Sequence, residues 1–498
     1  MLVLAQALQM VIQQPFMMVL VLMGAVIGLV FGAIPGLTAT TGVALALPLT
    51  FALNPEMGMA LLIGIYVGGI SGGFIAATLL GIPGTPASIA TCFDAYPLSQ
   101  QGQPVKALAI GATASFMGTL GSTICLVYIA PIIANIALKL SPFEYSTLMF
   151  CALTLIATLA REEPFRGLAS GFLGILLGSI GIAPIGSTLR FTFGLVPLSA
   201  GLNLLAMILG IFAIKQISVD YAEDKPIPLV DLEVKGLGFR LGEIVDNAWN
   251  IVRSFLIGLW IGFLPGMGAG LANLIAYAQA KSSSKHPEKF GKGAPEGIWA
   301  SEVSNNAAIG GAMIPMLTLG IPGDSVTALL LGGLMIHGLI PGPLLYIKQP
   351  RLVNSIFGLL AISAVICLVL CYLGMRLFPR VLTIPRHYLY PVLMVLSFVG
   401  SFASNNYSFD FWIMLLFALV GMLMDMAKMP MSPMILGFIL GPMLEENLRR
   451  ALTYSAGSWL PFITRPVSAV LLAIAVFSLV NSVIKMRRHQ ALQAGKSA

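Results

Sequence analysis

Long apolar stretches alternate with short polar interruptions along almost the whole chain. They fall at about 16–34, 37–52, 57–80, 106–138, 142–160, 166–184 and 194–218. After a polar interval they resume at about 250–280, 297–320, 325–347, 354–378, 388–402, 408–426, 431–444 and 460–485. With ~20 residues per crossing, this pattern predicts about twelve to fourteen hydrophobic segments. The expected fold is an all-α polytopic membrane protein. The interval from Asp220 to Asp246, with Glu223, Asp224, Lys225, Asp231, Glu233 and Lys235, is the most hydrophilic stretch and reads as a linker. The expected organisation is a first membrane repeat over 1–219, a polar linker over 220–247, a second repeat with the C-terminal helices over 248–484, and a basic tail over 485–498.

The two halves repeat each other. IGLVFGAIPG at 27–36 returns as IGLWIGFLPG at 257–266, with six of ten positions identical at an offset of 230. LGIPG at 80–84 returns at 319–323, an offset of 239. Each half carries the same script in the same order. Gly28, Gly32 and Gly36, like Gly258, Gly262 and Gly266, are spaced by four and predict a smooth stripe on which another backbone can pack. Pro35-Gly36 and Pro265-Gly266 then interrupt the helix, and Ile82-Pro83-Gly84 and Ile321-Pro322-Gly323 interrupt it again. Proline removes a backbone donor and glycine permits a turn. Pro-Gly-broken or re-entrant helices at matching positions of two halves point to a transporter's binding site. The cation-rich stretch Lys281–Glu296 follows the break of the second half, whereas Thr50–Met57 has no cation. If these loops correspond, they lie on opposite faces and the repeats are inverted.

Composition narrows the class. Of 498 residues, 57% are hydrophobic and only 9% are charged, with mean hydropathy +0.93, which excludes a soluble enzyme and a disordered scaffold. The net charge of +7 comes from cations scattered through short loops and the tail Lys485–Ala498. It marks cytoplasmic segments and not a nucleic-acid surface. Cys92, Cys125, Cys151, Cys367 and Cys371 form no CxxC pair and read as small apolar fillers. The first Lys or Arg is Lys106, so the N-terminal apolar stretch lacks the basic region of a cleaved signal peptide and is expected to be retained.

Small, hydroxylated and amidic residues crowd the breaks. Half-helices starting after each Pro-Gly would aim free N–H groups and a positive dipole end at the break, a setting that suits a carboxylate. The expected substrate contacts are Pro35, Gly36, Thr38, Thr40, Gly84, Thr85, Ser88, Pro265, Gly266, Gly268, Asn305, Asn306, Gly323 and Ser325. Break carbonyls at Gly81 and Gly320, with Asp324, are expected to hold a coupling ion, Na⁺ or H⁺. The other reading of Asp324 and of each hydroxyl is helix capping. Intramembrane acids are expected at Asp94, Asp324, Asp410 and Asp425. Enzyme motifs are absent apart from the GxSxG pattern around Ser71, which has no strand–turn–helix context, so no catalytic residue and no cofactor are assigned. Two rival readings stand beside a gradient-driven transporter. One is the permease of an ATP-driven importer, with 281–296 as its docking loop; the other is a membrane-embedded enzyme using Ser71.

Four stretches carry a wider resemblance: GAIPGLTATTGVALALPLTF at 32–51, GGFIAATLLGIPGTPASIAT at 72–91, FLPGMGAGLANLIAY at 263–277, and the run from EVSNNAAIGG at 302 to LIPGP at 343. These closely resemble the large membrane subunit of the tripartite tricarboxylate transporter family, over nearly the whole chain. The resemblance implies a bacterial inner-membrane secondary importer of citrate or of another di-, tri- or aromatic carboxylate, driven by Na⁺ or H⁺. It also implies two partners, a small membrane subunit of about four helices and a periplasmic solute-binding protein.

Overall fold

Proline opens helix after helix in this chain. It stands at the first turn of α1 (Pro15–Ala33), α3 (Pro55–Leu80), α5 (Pro104–Ala137), α8 (Pro295–Leu319) and α10 (Pro350–Gly374). At the first turn its missing N–H costs nothing and its φ is already helical. Between these lie α2 (Ala39–Ala46), α4 (Ile89–Gln100), α6 (Ala248–Phe263), α7 (Gly268–Ser283) and α9 (Ser325–Ile336). The computed structural model describes residues 2–158, 164–222, 238–382, 386–405 and 407–494. Residues 223–237, most of the expected linker, lie outside them, as do the side chains of the basic tail 485–498.

Among the described residues the chain is all-α but for one hairpin. Five described helices are long and apolar enough to cross a membrane: α1, α3, α5, α10 and Phe409–Met426. Eight shorter apolar helices accompany them. The apolar stretch 250–280 divides into α6 and α7. The stretch 37–52 divides into α2 and a 3₁₀ turn, Leu47–Ala52. The strands Gly181–Ile182 and Leu189–Arg190 pair antiparallel where only helix and loop were expected. Gly186 and Ser187 between them take positive φ, which turns the chain back on itself.

By its internal contacts the chain falls into two units, each built from both halves of the sequence: residues 1–134 with 212–408, and residues 135–211 with 409–498. In the second unit the helices Pro164–Gly178 and Met431–Tyr454 pack closely, with Gly174 against the Met434 carbonyl and Gly437 against the Gly171 carbonyl. Arg465 pairs with Glu144, and Arg190 makes both its bonds to Glu445 at 2.8 and 3.0 Å.

The first unit is organised around α3 and α8. Every side chain of α3 from Gly58 to Leu79 is buried, as is every side chain of α8 from Gly297 to Thr318. Each is flanked by the glycine helix of its own half, α1 on α3 and α6 on α8. A Cβ at Gly24, Gly28 or Gly32 would lie 2.3, 2.5 or 2.3 Å from the carbonyl oxygens of Leu61, Ile65 and Gly69. In the second half, a Cβ at Gly258 or Gly262 would lie 2.2 or 2.4 Å from the carbonyls of Ser304 and Ala308. The residues touched advance in step with the glycines, so each glycine helix runs parallel to its partner.

The stripe is shorter than its sequence spacing suggests. Gly36 and Gly266 are not on the helices; they take φ of 95° and 77° in the turns that follow. The reason is the adjoining proline, which excludes the helical region for the residue before it. Ile34 and Leu264 accordingly have ψ of 116° and 123°.

Adding one methyl group at Gly28 or Gly262 forces backbones apart in a packed interior, at a cost of about 1–3 kcal/mol. Gly28→Ala and Gly262→Ala should each lower the melting temperature of the detergent-solubilised protein. Gly242→Ala should not, because nothing lies within 4 Å of a Cβ there and its φ is not positive.

Candidate functional site

The four breaks follow two local designs. After α1 and α6 the chain turns at Pro-Gly and starts a new helix. Thr38 caps α2 by accepting the Thr41 N–H at 3.2 Å, whereas α7 starts at Gly268 with no side-chain cap. After α3 and α8 the helix ends on a left-handed glycine, Gly81 (φ 68°) or Gly320 (φ 71°), as a helix C-terminus favours. The cap of the next helical turn, Thr85 or Asp324, then stands two residues after the Pro. In the first half the Ser88 hydroxyl accepts from the Thr85 N–H at 3.3 Å. In the second, Asp324 Oδ1 accepts from the Thr327 N–H at 2.7 Å, and the Thr327 hydroxyl accepts from the Asp324 N–H at 2.9 Å. This is a complete capping box.

Tertiary contacts bring the breaks together. The Gly266 N–H donates to the Gly323 carbonyl at 2.8 Å and ties the two breaks of the second half. In the first half a Cβ at Gly84 would lie 2.2 Å from the Gly32 carbonyl. The halves also meet. A Cβ at Gly270 would lie 3.2 Å from the Pro86 carbonyl, and the Ala90 N–H donates to Asn273 Oδ1 at 2.7 Å. Tyr66 of α3 donates to Asp324 Oδ2 at 2.7 Å. Of the expected contacts, Gly84, Thr85, Ser88, Gly266, Gly268 and Gly323 therefore lie in one region, and α2 packs on α9, which brings Gly36, Thr38, Thr40 and Ser325 alongside it, with Pro35 and Pro265 at the turns. Thr38, Thr40 and Ser325 are half-buried; Thr85, Ser88 and Asp324 are buried.

Asn305 and Asn306 are placed differently. They lie in the middle of α8, more than three turns before Leu319, and they surround an acid that the sequence reading did not count among the intramembrane acids, Glu302. Its side chain is fully buried. Glu302 Oε1 accepts from the Thr91 hydroxyl at 2.5 Å, and Oε2 accepts from Ser115 at 3.1 Å and from the Asn305 amide at 3.4 Å. Asn306 donates to Ser115 Oγ at 2.9 Å, and its Oδ1 accepts from Ser71 at 2.8 Å and Thr119 at 3.2 Å. Ser71, the residue in the GxSxG pattern, is thus a hydrogen-bond donor in mid-helix. Asn273 joins the two regions, donating to the Ser301 carbonyl at 3.3 Å. Glu302 lies inside the apolar stretch 297–320, but it was given no role because nothing in the sequence shows what surrounds it. The available signal was the spacing of Glu302, Asn305 and Asn306 at i, i+3 and i+4 amid small residues, which places all three on one helix face.

The other acids have distinct settings. Asp94 Oδ1 accepts three backbone N–H groups, from Gly291, Gly293 and Ala294, at 2.8–2.9 Å, and Oδ2 accepts from Tyr277 at 2.9 Å. It is an anchor for the lysine-bearing loop. In the second unit Asp410 is buried and accepts from Asn203 at 2.5 Å.

Known proteins bear on nearly the whole length. The family model described as the tripartite tricarboxylate transporter TctA family matches residues 18–436. The chain is similar to the "Uncharacterized 52.8 kDa protein in TAR-I ttuC' 3'region" of Agrobacterium vitis, 33% identical over 467 residues that cover 94% of this chain and 93% of that protein. It is also similar to the "Uncharacterized protein in TAR-II ttuC' 3'region" of the same organism, 36% identical over 233 residues that cover 47% of this chain and 96% of that one.

The Asp94 anchor yields a direct test. Removing a carboxylate that holds three N–H groups releases bonds of the strong, charge-assisted kind. Asp94→Ala should speed tryptic cleavage at Lys289 and Lys292 by about tenfold or more, measured on the intact protein, while Asp94→Asn should have a smaller effect.

Proposed function

The chain belongs to the tripartite tricarboxylate transporter TctA family, and on that premise we propose that it is the permease subunit of a gradient-driven importer of organic carboxylates. The observation that carries this reading is the convergence of four helix breaks in one partly buried region. Three helical turns start there, at Ala39, Gly268 and Ser325, and a fourth starts at Pro86. Helix N-termini present N–H groups and partial positive charge, and a carboxylate is the natural ligand for several of them at once. No basic side chain is needed at such a site. Thr38, Thr40, Thr85, Ser88 and Ser325, with the backbone at Gly36, Gly266 and Gly323, are the contacts in this reading, and they set the size and geometry of the acid accepted.

The two halves act as inverted repeats in this reading. Support comes from the direction of α3 against α8. Ser71 meets Asn306, while Tyr66, earlier on α3, meets Asp324, and the adjoining Gly323 packs on Ala312, later on α8. The two central helices therefore cross in opposite senses, as halves related by an axis in the membrane plane would. A carboxylate delivered by an extracytoplasmic solute-binding protein enters from one face, and movement of one set of half-helices exposes it to the other. A small membrane subunit of about four helices completes the complex in a bacterial inner membrane. An inward gradient of Na⁺ or H⁺ drives uptake, with Asp324 and the carbonyls of Gly81 and Gly320 near the ion's path.

The test is uptake of labelled citrate and a panel of other carboxylates into proteoliposomes containing this chain and its small partner. Binding protein is added outside, and Na⁺ or H⁺ gradients are imposed without ATP. Gradient-driven, binding-protein-dependent uptake is the expected result; uptake that appears only with an added ATPase subunit overturns the reading. Within the working system, Thr40→Ala or Ser325→Ala should raise KM by roughly tenfold or more, the size of one lost hydrogen bond to a charged group.

A further inference from the structure

Glu302 presents a charge problem that its surroundings solve only in part. The side chain is fully buried in a helix encased by protein, and an isolated carboxylate in such a place is costly. All its partners donate to it: Thr91 to Oε1, and Ser115, Asn305 and Asn306 to Oε2. Four donors stand within reach of its two oxygens, enough to support an ionised carboxylate. No Lys, Arg or His pairs with it among the described residues. Beside it Asn305 Oδ1, also fully buried, has no hydrogen-bond partner among the described residues. A buried amide oxygen without a donor is rare in proteins and calls for an explanation.

We propose that this cluster binds a sodium ion, with Glu302 supplying the single negative charge and Asn305 Oδ1 the free neutral oxygen, and that this ion is the one coupled to import. The coupling half of that statement rests on the transport reading above; the binding half does not. The donor set selects the ion. It contains only oxygens, which suit a hard cation over a soft one. It contains one carboxylate, and among the described residues no group of three His, Cys, Asp or Glu comes together. A divalent ion would leave a net positive charge in a dry interior, whereas a monovalent ion leaves none. The hydroxyls of Thr91 and Ser115 complete the shell when they turn their lone pairs inward. The site also has a mechanical link to the breaks. Thr91 lies on α4, just past the Pro83-Gly84 break, and Asn273 lies on α7, just past the Pro265-Gly266 break. Asn273 donates to Thr91 Oγ1 at 3.4 Å. An ion drawing Thr91 onto α8 would therefore fix half-helices from both repeats, which is how ion occupancy would set the affinity of the carboxylate site.

The test uses the full chain in detergent or nanodiscs and reads sodium without transport. The melting temperature is followed as NaCl replaces choline chloride at constant ionic strength, with KCl as a control, and ²²Na⁺ binding is measured directly. Saturable stabilisation by Na⁺ is expected for the unmodified protein. Glu302→Gln should abolish it. Asn305→Ala should weaken it at least tenfold; because the change also removes the amide N–H that donates to Glu302, the readout is the size of the Na⁺-induced shift and the ²²Na⁺ affinity, not the Na⁺-free melting temperature. Asp410→Asn, which alters a buried acid of the second unit, should respond as the unmodified chain does. Failure of the unmodified chain to respond to Na⁺, or a response that lowering the pH reproduces and Na⁺ does not, overturns the proposal in favour of a proton. A Glu302→Gln protein that still binds Na⁺ also overturns it. Sodium binding that maps to Glu302 without gradient-driven uptake keeps the site and removes the transport reading. Sodium-driven uptake that persists in Glu302→Gln does the reverse.

Discussion

A helix that breaks within an apolar layer frees backbone N–H and C=O groups that no lipid can satisfy, and this constraint shapes the first unit of the protein. The freed groups must be buried against protein, a water-filled cavity or a ligand. Here each break is buried against another. Gly266 bonds to Gly323, Gly84 lies on the Gly32 carbonyl, and Pro86 lies over Gly270. The breaks meet because none of them is tolerable alone. Their meeting gathers several helix starts in one place, and that gathering is the physical basis for reading the region as an anion site.

Close backbone approach makes the arrangement possible. Gly24, Gly28 and Gly32 let α1 lie directly on α3, and Gly258 and Gly262 let α6 lie on α8. With flanking backbones that near, α3 and α8 are covered along almost their whole length. A fully covered helix can carry polar groups that a lipid-facing one cannot, provided each finds a partner. On α8 that freedom is used for Ser301, Glu302, Ser304, Asn305 and Asn306, all fully buried. The cost of this polar run is visible in the sequence, because α8 is long enough to cross a bilayer but too polar to count among the five apolar spans.

Capping explains much of the hydroxyl chemistry around the breaks. Thr38, Ser88, Asp324 and Thr327 each satisfy a backbone group at a helix start. Asp324 in addition receives Tyr66, so both its oxygens have partners in the protein. Glu302 and Asn305 differ in kind. One is a carboxyl group met only by dipoles, and the other holds an oxygen that has no hydrogen-bond partner among the described residues.

The sequence by itself determined that the chain is helical and membrane-spanning, that it is duplicated, and where its helices break. Apolar run length, the repeat of Pro-Gly at matched offsets, and proline's exclusion of helix from the residue before it are local properties. For the same reason the resemblance to one transporter family was legible from ordered motifs alone. What only the tertiary structure decided is which of these local features act together. Gly36 and Gly266 look like members of the helical stripe, but their neighbouring prolines place them in turns. Asn305 and Asn306 look like companions of the fourth break, but the length of α8 puts them far from it and beside Glu302. Glu302 carries no visible role until Thr91 and Ser115 arrive from helices some two hundred residues away in sequence. Burial of a charge is a property of what surrounds it, and no window of the chain contains those surroundings.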